Sequence, residues 1–175
     1  MRLLPALPLL VLAASATAQG RHDTNAPIDF GADRIELQDR ANRAVLSGAV
    51  NVRQAEMTLT AQRMTVAYTG QVANGSPQVS RLDASGSVTV ARPSQTARAQ
   101  YAIYDLNARA ITMLGGVSLT QGNNTVRGGR LVINLDTGRA VLDGGAVGGQ
   151  QAPGATTTRP GGRVTGRFSV PGRDQ

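Results

Sequence analysis

The chain has 175 residues, a formal net charge of +7, no cysteine, no tryptophan and one histidine, and all 18 of its basic residues are arginine. A lone histidine without cysteine excludes the usual zinc sites and nucleophile–base pairs, and the lack of lysine excludes a Walker-type phosphate loop. Positive charge attracts anions, but aromatics are only 3% of the chain, too few to stack the bases of a nucleic acid.

The first predicted element is a leader. Arg2 opens it, residues 3–14 are an apolar run broken by Pro5 and Pro8, and Ala16-Thr17-Ala18 is a small-x-small cleavage site. This reads as a secretory signal peptide over residues 1–18, cut before Gln19. The run is too short to span a bilayer, which needs about 20 apolar residues. An exported chain without disulfides must draw its stability from strand pairing and burial. Residues 19–27 follow as a polar leader in which His22 is expected to be solvated.

Residues 28–148 carry a repeat in two parts. The first part, apolar-x-small-x-x-apolar-x-apolar, occurs at Phe30-Ala32-Ile35-Leu37, Leu59-Ala61-Met64-Val66, Ala97-Ala99-Ala102-Tyr104 and Val126-Gly128-Leu131-Ile133. The second, apolar-x-apolar-x-Gly-x-apolar-x-apolar, occurs at Ala44-Leu46-Gly48-Val50-Val52, Leu82-Ala84-Gly86-Val88-Val90, Ile111-Met113-Gly115-Val117-Leu119 and, more weakly, Ala140-Leu142-Gly144-Ala146. The anchors Ala32, Ala61, Ala99 and Gly128 lie 29, 38 and 29 residues apart, and the glycines Gly48, Gly86, Gly115 and Gly144 lie 38, 29 and 29 apart. One nine-residue insertion, residues 70–78, explains both long intervals. Two series with one period and one insertion define a repeat protein.

The apolar positions alternate with period two, which predicts strands. Asn-, Asp- and Gly-bearing breaks at 39–42, 107–109, 122–124 and 136–138 predict hairpin turns. The expected fold is all-β, a meander of about eight consecutive long antiparallel strands. Inside each first-part strand the alternation slips by one residue, between Ala61 and Met64 for example. Side chains alternate strictly, so keeping both halves inward needs an extra residue or a corner at that height. The second-part glycines permit the same bend. The strands are therefore expected to fold along a line into a trough with an apolar lining. That lining comprises Leu46, Val50, Val52, Leu59, Met64, Val66, Leu82, Val88, Val90, Met113, Val117, Leu119, Leu131 and Ile133.

A meander that does not close leaves two edges. The first is expected over residues 28–37, with Ile28, Phe30, Asp33, Ile35 and Leu37, and the last over 139–147, with Ala140, Leu142 and Asp143. Unpaired edges invite further strands, and two unlike edges join head to tail. Residues 149–175 are rich in Gly, Pro, Thr, Gln and Arg and read as a disordered basic tail, in which residues 167–171 offer a short docking strand. The carboxylates Asp29, Asp33, Glu36, Asp39, Asp83, Asp105, Asp136 and Asp143 fall at turns or outward positions. No catalytic residue, metal site or cofactor is expected.

The segments ADRIEL (residues 32–37), RAVLSGAVNV (43–52), LTAQRMTV (59–66) and RAITMLGGVSL (109–119) resemble the OstA-like family, the LptA family of periplasmic lipopolysaccharide-transport proteins. The resemblance covers about residues 28–145. It implies a bent β-jelly-roll with a hydrophobic groove for lipid A acyl chains. It also implies partners at the edge strands, an LptC-type inner-membrane protein and an LptD-type outer-membrane protein, and a head-to-tail homo-oligomer. Three other readings stand beside it: a structural β-solenoid or filament protein, a carbohydrate-processing enzyme, and an LptC-like partner retaining its N-terminal helix.

Overall fold

A computed structural model describes residues 22–70, 77–144 and 164–167. The stretch read as a signal peptide and most of residues 149–175 lie outside them, as do residues 145–147 at the end of the fourth second-part copy. The described residues form one sheet. Its strands are β1 (Ile28–Gly31), β2 (Arg34–Gln38), β3 (Arg43–Gln54), β4 (Met57–Thr69), β5 (Gln78–Arg92), β6 (Gln95–Asp105), β7 (Ala110–Gln121), β8 (Asn124–Asn134), β9 (Ala140–Asp143) and β10 (Thr165–Arg167). Consecutive long strands pair from β3 to β8, β1 and β2 flank β3, and β9 and β10 flank β8. Every pairing is antiparallel, so the stacked parallel coils of a β-solenoid are ruled out. The insertion sits in the connection from β4 to β5, where Thr69 faces Gln78.

The sheet is folded upon itself. Leu46, Met64, Leu82, Ile111, Met113 and Leu131 are fully buried, which one face of a single flat sheet does not achieve without a cover. Among the described residues the cover is the other half of the same strands. One half contains residues 43–47, 63–69, 78–85, 101–105, 110–114 and 130–134, and the other 50–54, 57–61, 88–92, 95–99, 117–121 and 124–128. We call these the lower and upper leaf. β2 and β9 extend the lower leaf, and β1 and β10 the upper. Both leaves contribute to a single apolar core.

The crease follows from a mismatch in residue count. Between Ser47↔Arg63 and Val50↔Ala61, β3 spends two residues where β4 spends one. The same offset recurs in β5 against β6 and in β7 against β8. Two extra residues preserve parity, so Ala44, Leu46, Val50 and Val52 all point inward; one extra residue reverses it, so Ala61 is followed inward by Met64. This is the slip written in the sequence. At the bends Gly48, Gly86 and Gly115 have φ of +75°, +81° and +84°. A Cβ there would also lie 2.9 Å from the Asp33 Cβ, 2.8 Å from the Gln62 Cβ and 3.0 Å from the Gln100 Cβ. Left-handed backbone and close approach together demand glycine.

Candidate apolar groove

Thirteen of the fourteen lining residues are buried in the one core, and Leu119 is the exception, half-buried and packed against it. The alternation also fills the interior with Met57, Ile111 and Leu135, and with Tyr104 from the third first-part copy. Met57, Ile111 and Leu135 lie on the same parity as their lining neighbours and were readable as lining, although Leu135 lies just past the end of β8.

The leaves meet at the crease and part at their rims. Between the rims lies a cavity of about 460 Å³, lined by Met57, Leu119 and Ala140 and edged by Glu56, Arg92, Gln95 and Gln121. Residues from the upper-leaf turns stand on one side of it and Thr137 and Gly138 from the lower leaf on the other. It is a mouth in which Met57, Leu119 and Ala140 stand among polar side chains.

Nearer β1 the mouth is fastened. Gln54, the one polar residue buried among the described core, sits at the upper rim. Tyr104 Oη, from the lower leaf, donates to Gln54 Oε1 at 2.6 Å, and His22 Nε2 donates to the same oxygen at 3.2 Å. Gln54 Nε2 donates to the carbonyls of Thr24 at 3.1 Å and Ala26 at 3.0 Å. All its hydrogen-bonding capacity towards the leaves and the polar leader is thus used, as burial of an amide requires. His22 is therefore partly buried and bonded rather than solvated. Parity with Val50 and Val52 marks Gln54 as inward, but its partners are remote in the chain and the sequence offered no signal for them.

Burial pushes the Tyr104 hydroxyl from its ordinary value of 10 up to about 12. A pKa raised on folding means that the neutral phenol stabilises the folded state fully below pH 10, and that this contribution fades as pH climbs from 10 to about 12. The denaturant midpoint should fall across that window. In Tyr104→Phe the fall should shrink, leaving the part due to Tyr68, which burial also raises. The same variant should lose about 1 kcal/mol at neutral pH, for Gln54 loses its shortest bond. A pH profile identical to that of the unaltered chain would remove Tyr104 as its source.

The ends of the folded sheet differ from its middle. Phe30, Ile35 and Leu37 pair with the inward residues Val52, Leu46 and Ala44, yet are 42%, 46% and 61% exposed. They point along the lining, and among the described residues no strand lies beyond to cover them. Ile28 packs against the core, while Asp33 is exposed at the crease. At the other end Ala140 and Leu142 pack against the core, and Asp143 is exposed.

The last edge differs from expectation. β9 stops at Asp143, and the upper-leaf place beside β8 is taken by β10 from within the stretch expected to be a tail. The short strand lies at Thr165–Arg167 and shares only Arg167 with the docking segment read at 167–171, whose other residues lie outside the described ones.

Among the described residues no three His, Asp or Glu side chains gather where they could hold a metal ion, and the ion pairs, Arg34–Glu36, Arg81–Asp83 and Arg109–Asp136, are all at the surface.

The family described as LptA/(LptD N-terminal domain) LPS transport protein matches residues 30–139. An uncharacterized protein of Rhizobium meliloti (strain 1021) is 34% identical over 139 residues, which cover 77% of this chain and 75% of that protein. The fold is similar to the crystal structure of LptH from Pseudomonas aeruginosa, described as the LptA homologous periplasmic component of the lipopolysaccharide transport device. The TM-score is 0.66 at 19% identity, over 85% of this chain and 99% of the other.

Proposed function

The chain belongs to the LptA/(LptD N-terminal domain) LPS transport protein family, and from that premise we propose that it carries lipopolysaccharide across the periplasm by sheltering acyl chains between its leaves. The observation that carries this reading is an apolar lining that runs the length of a folded sheet, opens along one rim and ends in uncovered inward side chains. A closed barrel or a sealed sandwich has neither feature.

Moving one CH₂ into water costs about 0.8 kcal/mol, so a chain of about a dozen carbons costs on the order of 10 kcal/mol. A lipid with several chains stays out of water only if something covers them. Entering at the mouth, a chain exchanges contact between the two leaves for contact with itself, apolar for apolar. The light aliphatic lining of Val, Leu and Met reshapes more readily than an aromatic core. The sugar headgroup stays among the polar side chains of the mouth. No bond is made or broken, and the role is that of a carrier without catalysis.

The edges supply the route. A strand edge recognises another by main-chain hydrogen bonds, and uncovered side chains at each end extend the lining into a neighbour. The chain then bridges an LptC-type protein of the inner membrane and an LptD-type protein of the outer membrane, directly or as a head-to-tail oligomer.

Photo-crosslinking amino acids at Val50, Val66 or Val117 should capture lipopolysaccharide, and those at the outward neighbours Asn51, Thr65 and Ser118 should not. Equal capture from both faces would refute the groove.

A further inference from the structure

The three complete creases share one construction. The residue just before the crease glycine pairs with the residue two past the neighbour's small anchor: Ser85↔Arg63 before Gly86, and Leu114↔Tyr101 before Gly115. The residue just after the crease valine pairs with the one preceding that anchor: Thr89↔Thr60 after Val88, and Ser118↔Arg98 after Val117. β9 and β10 satisfy both rules against the anchor Gly128. Asp143, just before Gly144, pairs with Arg130, and Thr165, just after Val164, pairs with Arg127. Val164 therefore occupies the place of Val50, Val88 and Val117. Those three valines are buried; Val164 is 42% exposed because the sheet ends there.

We propose that residues 164–167 are the displaced second half of the last bent strand, and that with β9 they form a two-piece edge on which a second copy docks its β1–β2 edge. The inference rests on the head-to-tail reading above. Chain direction supports it. β9 and β10 both run antiparallel to β8, and β1 and β2 both run antiparallel to β3. Alternation along the sheet then makes β1–β2 of one copy antiparallel to β9–β10 of the next, which continues the ladder unbroken across both leaves. The register matches as well: crease valines face small anchors, as in Val50↔Ala61, Val88↔Ala99 and Val117↔Gly128, so Val164 at one end faces the place that Ala32 would fill from the other. A docking edge made of β9 alone would join the lower leaves and leave the upper leaves, and half the lining, without a partner.

Three chains compared by sedimentation velocity test this. The first is the full secreted chain. The second lacks residues 149–175. The third lacks residues 146–163, so that Gly144-Gly145-Val164 imitates the natural Gly115-Gly116-Val117. The full chain and the third should self-associate with the same dissociation constant. The second should fold, by circular dichroism, and associate at least about tenfold more weakly, having lost its upper-leaf strand pairing. Equal association of the first and second overturns the part assigned to residues 164–167 while leaving head-to-tail assembly intact. A full chain that stays monomeric at every concentration overturns the docking role together with the head-to-tail reading. Should the second chain fail to fold, Val164→Asp in the full chain reads the same edge: association weakened at unchanged melting temperature is expected, and unchanged association overturns the proposal.

Discussion

Val117→Asp should abolish the soluble fold, whereas Ser118→Asp, one residue on, should leave it intact. Val117 is 1% exposed in the centre of the core, with Gly128 beside it on β8. A carboxylate there loses its hydration and finds no cation, a cost of several kcal/mol against a total stability of about 5–15 kcal/mol for a domain. Ser118 faces outward between Arg98 on β6 and Arg127 on β8. An aspartate at 118 gains two cross-strand cations, worth a few tenths of a kcal/mol each. Soluble yield and melting temperature read the contrast. Similar damage from both substitutions would mean that the two faces are wrongly assigned.

The creases should be sensitive where the neighbouring strand presses on them and tolerant where it does not. Gly86→Ala combines a left-handed backbone, which costs about 1–2 kcal/mol for an L-residue, with a Cβ 2.8 Å from the Gln62 Cβ. We expect about 3 kcal/mol in all, on the order of 10 °C in melting temperature. Gly116→Ala meets nothing within 4 Å and should lose only about 1 kcal/mol. The fold already supports this second estimate, since Ala49 and Ser87 take up the equivalent left-handed positions in the other copies. If both substitutions cost the same, backbone conformation alone governs the crease and the contact with Gln62 does not matter.

What was legible in the sequence was whatever repeats. Period-two alternation located β3 to β8, and the one-residue slip between Ala61 and Met64 located the fold line, because a face assignment has only two values and a slip must be paid back by geometry. The lining followed from the same parity. Interactions that occur once were not legible. Gln54 continues the inward parity of Val50 and Val52, but its partners His22, Thr24, Ala26 and Tyr104 come from two distant parts of the chain, and no repeat announces them. The last strand was misplaced for a related reason. The weak fourth copy was read straight through Gly144 to Ala146, while the residues that fill its second half stand beyond 19 intervening ones, at Val164 and after. A four-residue match that far out of phase has no weight until pairing to β8 supplies its register.

The crease has a consequence for size. Each row of the ladder is added side by side with the last, the bend at constant height, so lengthening the chain leaves the cross-section of the trough unchanged. Strands lie about 4.8 Å apart, and one 29-residue unit of two strands therefore extends the conduit by roughly 10 Å; eight rows reach about 34 Å. Reach along the trough becomes a whole-number quantity, adjustable by duplication of a unit with no redesign of the interior.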